Sequence, residues 1–323
     1  MIFPTFSLIV MENLIQTFSF NFNFFRIFGL SPYSRKGAFF RKSIPWMYYS
    51  YAIILLNFTI QLIDLFLSYD LKNSLRSYVW VVDTLIFRFL PFTTAIFVLR
   101  DVTFLQNLLL FVNNTFFKDH KIRMAIHSVE DAKYSFRFIF FTCLLIVATL
   151  PIGQCFCFED FMNYLKKERV YVILTNFSMV WRTSSSIAIC GQFLSCIFII
   201  RFCFKCINFN INYVKEKISK KGEKSREDKD YLFVIENLRS VDFKLRDFVD
   251  RLNNIYGIFV TLLCSATLSE SLYAVTYYSF VEHNFSCQHV LSFYWLSYIW
   301  ILLFGILISS VLLRKSVSMK KLK

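Results

Sequence analysis

The stretch from Tyr231 to Phe280 constrains the fold most, because a charged amphipathic segment runs directly into an apolar one. In its first half, apolar residues recur at alternating spacings of three and four, the heptad rhythm of a helix with a narrow apolar seam. The centre of that seam comprises Leu238, Val241, Leu245, Phe248 and Leu252. From Ile255 to Val281 only Glu270 is charged, and this run is long enough to cross a bilayer. The pattern predicts one helix that passes from water into lipid, with a seam that must pack against a partner.

The overall composition indicates an integral membrane protein. Hydrophobic residues make up 56% of the 323 residues, and aromatic residues 20%. Only 7 Gly and 5 Pro accompany 41 Phe, which favours uninterrupted helices over a barrel of strands and turns. We expect an all-α, polytopic helical bundle surrounded by membrane lipids, with six spans at about 44–68, 77–99, 134–158, 174–202, 255–281 and 291–313.

The distribution of basic residues predicts the orientation of these spans. When residues at the span ends are counted with the adjacent loops, the N-terminal segment, the second and fourth loops and the C-terminal tail together contain 29 Lys and Arg. The other three loops contain 5. We therefore expect a cytosolic segment over 1–43, a transmembrane domain over 44–313 that includes a cytosolic seam helix over 231–254, and a cytosolic basic tail over 314–323. Residues 24–33 should lie along the inner membrane face, and residues 215–229 should form a flexible charge cluster. Met11 is an alternative start to Met1.

Several kinds of chemistry are disfavoured by the sequence. The formal charge of +14 falls in loops without interleaved stacking aromatics, so we expect no nucleic-acid binding. The four histidines are scattered and no glycine-rich phosphate loop is present, so we expect no enzyme, no catalytic residues, no cofactor and no metal. Cys203 and Cys206 lack the second pair of a zinc site. A disulfide between Cys155 or Cys157 and Cys287 is a hypothesis.

Charged and polar residues within the spans are candidates for function. Ionisable side chains are costly in lipid and are functional by default. The candidates for function are Asp83, Arg88, Arg182 and Glu270. The alternative is that they form structural ion pairs, such as Arg182 with Glu270. For the hydroxyl run over 183–186, close helix packing and a ligand wall both remain open.

Two patches of the chain resemble the insect gustatory receptors. The residues LRDFVDRLNNIYGIFVTLL, Leu245 to Leu263, are similar to that family's junction between the last intracellular loop and the fifth span. Within it, Asn253, Asn254, Tyr256 and Gly257 match the family's residues at the membrane entry. The N-terminal IFGLSPY, Ile27 to Tyr33, resembles its opening motif.

This resemblance implies a ligand-gated, nonselective cation channel in the cell membrane that detects small-molecule tastants. It implies a homo- or hetero-tetramer with other receptor subunits, in which the seam helix lies where subunits meet. The family's seventh helix, with Thr-Tyr, five residues and then Gln-Phe, lines the pore. The sequence ends before such a motif, so we expect this polypeptide to lack the pore helix and not to conduct alone.

The resemblance also implies a tastant pocket in the outer half of the second to sixth spans. Aromatic walls with a few polar groups are the usual composition of a small-molecule site. The predicted lining residues are Trp80, Asp83, Gln154, Asn176, Trp181, Tyr277 and Trp295. For Trp80, Tyr277 and Trp295, a role as interfacial membrane anchors is the alternative.

Three other classes of membrane protein compete with this interpretation. An odorant receptor shares the fold and differs in the residues near Asn253 to Gly257. A G-protein-coupled receptor has an external N-terminus and Asp-Arg-Tyr and Asn-Pro-x-x-Tyr motifs, which this sequence does not contain. A transporter often shows matched Gly or Pro breaks in repeated spans, and none is visible here.

If Arg182 and Glu270 pair within the membrane, changing one of them leaves the other charge buried and unpaired. We expect Arg182→Glu and Glu270→Arg each to lower surface expression and the double exchange to restore it. Surface labelling of the three variants measures this. A double variant that stays as poorly expressed as the single ones would contradict the pairing.

Overall fold

A computed structural model of the chain describes residues 21–36, 39–69, 89–118, 130–131, 134–149, 169–220, 228–280, 297, 300–301, 303–311 and 314. These residues are predominantly helical, which confirms the predicted all-α class. The elements in chain order are α1 (21–27), β1 (Tyr33–Lys36), β2 (Phe39–Lys42), α2 (Ile44–Tyr69), α3 (Leu90–Arg100), α4 (Val102–Val112), α5 (Tyr134–Thr149), α6 (Arg169–Lys220), α7 (Asp228–Phe280) and α8 (303–311). A π-helical turn, Asn113–Lys118, follows α4.

The central element is α6, whose residues from 183 to 207 are nearly all buried. A helix that is apolar around its whole circumference is buried either among other helices or in lipid. In this chain α2, α3 and α7 contact it, and α5 approaches closely where a Cβ on Gly191 would lie 2.8 Å from the Cys143 sulfur. Helix α6 continues to Lys220, so residues 215–220 are helical rather than part of a flexible cluster. Lys and Glu, which dominate that end, are good helix formers.

Several described helices are long and apolar enough to cross a membrane. They are Ile44–Ile63 within α2 and Thr183–Ser219 within α6. The pair Pro91–Arg100 and Thr103–Phe116 meets the same criterion as one span bent by 58°. The count of six spans and the positions of the termini remain predictions, because large parts of the 77–99, 134–158 and 291–313 spans lie outside the described residues.

The N-terminal segment is buried in the bundle, which corrects the expectation that residues 24–33 lie along the membrane face. Phe22, Phe25 and Leu30 are each 1% exposed. The Gln192 side-chain amide of α6 donates a hydrogen bond to the Leu30 carbonyl at 2.9 Å. Gly29 permits this path, since its φ of 74° is left-handed and a Cβ there would lie 3.1 Å from the Ser50 carbonyl oxygen. A run of Phe residues is compatible with a protein core and with a lipid-facing surface, and in this chain it lies in the core of the bundle.

A two-stranded antiparallel hairpin follows this segment, and the sequence pattern did not predict it. Strand β1 pairs with β2 in a register that places Tyr33 opposite Lys42 and Ser34 opposite Arg41. Tyr33 is 3% exposed and fixes the base of the hairpin to the core. Burial raises the pKa of the Tyr33 phenol, and the proximity of Cys196 and Asp101 adds to this effect. The hairpin therefore begins in the bundle and ends directly at α2.

Helix α7 is continuous over 53 residues, as the sequence predicts. Its seam is covered within the same chain: Leu238, Leu245, Phe248 and Leu252 are buried and Val241 is partly buried. The Phe248 ring lies 6.0 Å from that of Phe104 and 5.4 Å from that of Phe111, both on α4. Phe248 of the seam therefore packs against α4 within the chain, and the position of the seam helix where subunits meet remains a prediction.

Because the seam is filled from within the chain, shortening a buried seam residue should destabilise even an isolated subunit. Leu245 is 0% exposed, and we expect Leu245→Ala to lower the free energy of unfolding by about 2–5 kcal/mol. Phe243→Ala is the matched control on the same helix, since Phe243 is 75% exposed, and it should cost less than about 0.5 kcal/mol. Thermal unfolding in detergent at several protein concentrations measures both. A loss for Leu245→Ala that appears only at concentrations favouring assembly would place another subunit against the seam.

Candidate functional site

The structure describes the side chain of one predicted pocket residue, Trp181. Five of the predicted pocket and charge residues lie outside the described residues: Trp80, Asp83, Arg88, Gln154 and Trp295. Four others have a described helical backbone but no described side chain, namely Asn176 and Arg182 on α6 and Glu270 and Tyr277 on α7. Cys155, Cys157 and Cys287 of the hypothetical disulfide also lie outside. These assignments remain predictions.

Trp181 forms an aromatic wall with residues from α6 and from the N-terminal segment. Its ring stacks on Phe177, one turn earlier on α6, at 6.0 Å and an interplanar angle of 25°. The ring of Phe28 lies 5.7 Å from it. Phe177 is 49% exposed and Phe28 is buried, so the wall reaches from the outer surface of the described helices into the core.

Beside this wall, α2 and α6 share buried polar groups. The Gln61 side-chain amide of α2 donates to the Ser178 carbonyl oxygen of α6 at 3.3 Å and lies 3.5 Å from the Asn57 side-chain oxygen. Gln61 is 1% exposed, and its own amide oxygen has no hydrogen-bond partner among the described residues. A buried acceptor left unpaired costs about 1–3 kcal/mol, so a donor from water or a ligand is favoured at this position.

We refer to these side chains as the α2–α6 cluster: Phe28, Asn57, Gln61, Phe177 and Trp181, joined by the Ser178 backbone. Aromatic walls with a few convergent polar groups suit a small, mostly apolar ligand. Sequence reasoning missed four of the five residues. For Asn57 and Gln61 a signal was present, since polar residues at i and i+4 in an apolar span face the bundle interior. For Phe28 the sequence gives no such signal, because the position of Phe28 depends on the N-terminal segment entering the core.

The hydroxyl run of α6 lies directly after this cluster. Thr183, Ser184, Ser185 and Ser186 are all buried. The hydroxyls of Thr183 and Ser184 have no hydrogen-bond partner among the described residues. Small side chains let neighbouring helices approach closely, which fits the position of α6 at the centre of the bundle.

An ion pair that the sequence did not suggest joins the bend between α3 and α4 to α7. The Arg251 guanidinium contacts both carboxylate oxygens of Asp101, at 2.6 and 2.8 Å from Nη2. It also lies 5.5 Å from the centre of the Phe104 ring. Both charged side chains are about three-tenths exposed, so the pair is only partly shielded from solvent. The bidentate geometry fixes the bend against the seam helix.

Within the described part of the chain, no group of three or more His, Cys, Asp or Glu could hold a metal ion. The groups available in the α2–α6 cluster are amides, backbone carbonyls and aromatic rings. Such groups bind and orient a ligand by hydrogen bonding and stacking.

Comparisons with known proteins support the fold. No protein-family model and no curated protein matches the sequence. Among solved structures, the chain is similar to the insect olfactory receptor OR5 from Machilis hrabei, with a TM-score of 0.64 and 12% identity over 92% of this chain and 79% of that one. At this level of identity the similarity establishes the fold: an all-α bundle like that of an insect olfactory receptor.

The Asp101–Arg251 pair should show measurable coupling in a double-mutant cycle. We expect Asp101→Asn, Arg251→Gln and their combination to give a coupling energy of about 1–3 kcal/mol, because the pair is bidentate and charged. The Asp242–Arg246 pair, one turn apart on α7 with Arg246 51% exposed, is the control and should give at most about 0.5 kcal/mol. Thermal unfolding in detergent supplies the values. Equal coupling energies in both cycles would show that the Asp101–Arg251 pair stabilises the fold no more than an exposed ion pair does.

Proposed function

We propose that the chain is a chemosensory receptor subunit of the ligand-gated cation channel type, located in the cell membrane as a multi-pass protein. It detects small molecules. The observation that carries the proposal is the α2–α6 cluster, in which Asn57 and Gln61 are buried and the aromatic wall reaches the surface at Phe177, set in a fold similar to that of an insect olfactory receptor. Its aromatic wall and unpaired amide oxygen suit a small ligand that stacks on a ring and donates one hydrogen bond.

The gustatory class is our preferred assignment within this fold, and the odorant class is the alternative. The preference rests on the sequence match at Asn253, Asn254, Tyr256 and Gly257. In the structure Tyr256 is buried and its ring lies 5.3 Å from that of Phe193 on α6, whereas both asparagines are exposed. The motif thus joins the seam helix to the central helix. The fold alone is equally consistent with an odorant receptor.

The same contacts offer a route from ligand to channel. A ligand at the α2–α6 cluster contacts the outer half of α6, and α6 packs along α7. Farther along α7, Arg251 binds Asp101 at the bend between α3 and α4. We propose that ligand binding shifts α6 and that this shift reaches the bend through α7 and the Asp101–Arg251 pair. This is a coupling of two positions through packed, rigid helices.

The remaining features of the proposal follow from the sequence. The chain assembles as a homo- or hetero-tetramer with other receptor subunits. Residues 231–254 and 314–323 lie on the cytosolic side, as do residues 1–43 except for 21–31, which pack within the bundle. Trp80, Asp83, Gln154, Asn176, Tyr277 and Trp295 line the pocket together with the α2–α6 cluster, and small-molecule tastants are the ligands.

Co-expression of the chain with a channel-forming receptor subunit in oocytes tests the function. The probes are sugars and caffeine for the gustatory class, and volatile esters and alcohols for the odorant class. For the active probe, we expect Gln61→Leu to raise the half-maximal concentration about tenfold, the equivalent of one lost hydrogen bond. Thr59→Val is the control, because Thr59 is exposed on the other side of α2 and its hydroxyl donates to the Leu55 carbonyl of its own helix.

Two outcomes would contradict the proposal. Currents abolished by blocking G proteins would indicate a coupled receptor instead of a channel. An equal effect of Gln61→Leu and Thr59→Val, with unchanged surface expression, would place the ligand away from the α2–α6 cluster.

A further inference from the structure

A basic surface lies where the β-hairpin meets α2, and the sequence around it contains no acid, while Asp101, which lies near Tyr33, is bound to Arg251. Residues 27–63 include Arg35, Lys36, Arg41 and Lys42 but no Asp or Glu. The hairpin places these four basic residues within two paired strands of four residues each. Such a concentration of one sign of charge creates a local field that attracts anions.

The described basic side chains of this surface are unpaired. Arg41 and Lys42 are both exposed, and neither has an ion-pair partner among the residues that the structure describes. Elsewhere basic residues do find acids, as Lys205 does with Asp131 at 2.6 Å and Arg251 with Asp101. Arg41 and Lys42 are therefore available to an anion from outside the chain.

The surface sits at the depth where a membrane span begins. Ser43 alone separates the hairpin from α2, and its backbone N–H donates to the Pro32 carbonyl at 3.0 Å. The first turns of α2 expose Ile44 at 63% and Tyr48 at 68%, and farther along Leu55 is 64% exposed. Apolar side chains exposed on a membrane-spanning helix face the lipid.

Aromatic residues fix this level of the helix. Trp46 and Tyr49 lie 5.5 Å apart on α2, and the Arg26 guanidinium lies 4.2 Å above the Trp46 ring. The Tyr49 hydroxyl donates to the Ile27 carbonyl at 3.3 Å. Trp and Tyr with nearby basic groups are typical of the boundary between hydrocarbon and headgroups. The hairpin thus adjoins that boundary, with Arg41 and Lys42 exposed.

We propose that the hairpin and the first turn of α2 form a binding surface for the headgroups of anionic phospholipids. Arg41 and Lys42 contact the headgroup phosphate, while Ile44 and Tyr48 lie along the acyl chains. Each basic residue near an anionic bilayer strengthens the attraction about fivefold, so the two together contribute about 30-fold. A nucleic acid is a poorer match, because the surface continues directly into a lipid-facing helix.

Thermal unfolding of the full chain in detergent tests this surface, with phosphatidylserine or phosphatidylcholine titrated into the micelles. We expect phosphatidylserine to raise the unfolding temperature more than phosphatidylcholine does. The variant Arg41→Gln/Lys42→Gln should need about 30-fold more phosphatidylserine for the same rise. Its unfolding temperature without added lipid should match that of the unmodified chain, because both side chains are exposed.

The control variant is Lys215→Gln/Lys217→Gln, which removes the same charge from another exposed basic pair. That pair lies about 35 Å along α6 from Gln192, the residue that holds the N-terminal segment. An equal loss of lipid response in both variants would attribute the effect to overall charge and overturn the proposal. So would equal protection by glycerophosphoserine, which has no acyl chains, or by a short RNA.

Discussion

The burial of α6 is the constraint on which the other contacts depend. A helix that is apolar on all sides can lie in lipid or among other helices, and the small hydroxyl and glycine residues of α6 favour the second position because they let neighbours approach closely. Helix α2 meets it through Gln61 and Ser178, α5 at Gly191, the N-terminal segment through Gln192 and α7 through Tyr256. The proposed ligand cluster is thus a by-product of the same packing, because it forms where α2 and the N-terminal segment reach α6.

Much of the fold follows from local patterns, and the rest depends on contacts between distant parts of the chain. The heptad rhythm and the run of uncharged residues were enough to predict α7 as one helix. They could not show that Phe248 of its seam packs against Phe104 and Phe111 of α4, because an amphipathic helix has the same pattern whether its partner belongs to the same chain or to another. The burial of residues 21–31 was missed for a similar reason, since Phe-rich segments suit both a core and a membrane surface.

The candidate site was less predictable than the fold. Trp181 is predicted through the family resemblance. Asn57 and Gln61 have only a local signal, their i, i+4 spacing in an apolar span. Asp101 and Arg251 are 150 residues apart, and nothing in one sequence indicates which of many charged residues will meet. The hairpin depends on a register that places each basic residue opposite an uncharged one, and no periodicity in two strands of four residues indicates that pairing. Fold class therefore follows from periodicity, whereas the contacts between distant residues are known only from the three-dimensional structure.

The length of α7 has a mechanical consequence. At 1.5 Å per residue its 53 residues form a rod of about 80 Å, with Arg251 near the middle. If the bond to Asp101 acts as a fulcrum, a tilt of about 5° displaces each end by only about 3–4 Å, in opposite directions. A displacement at one end of α7 then produces a displacement of similar size and opposite direction at the other end. A lever of this kind transmits movement without unfolding or bending any part of itself.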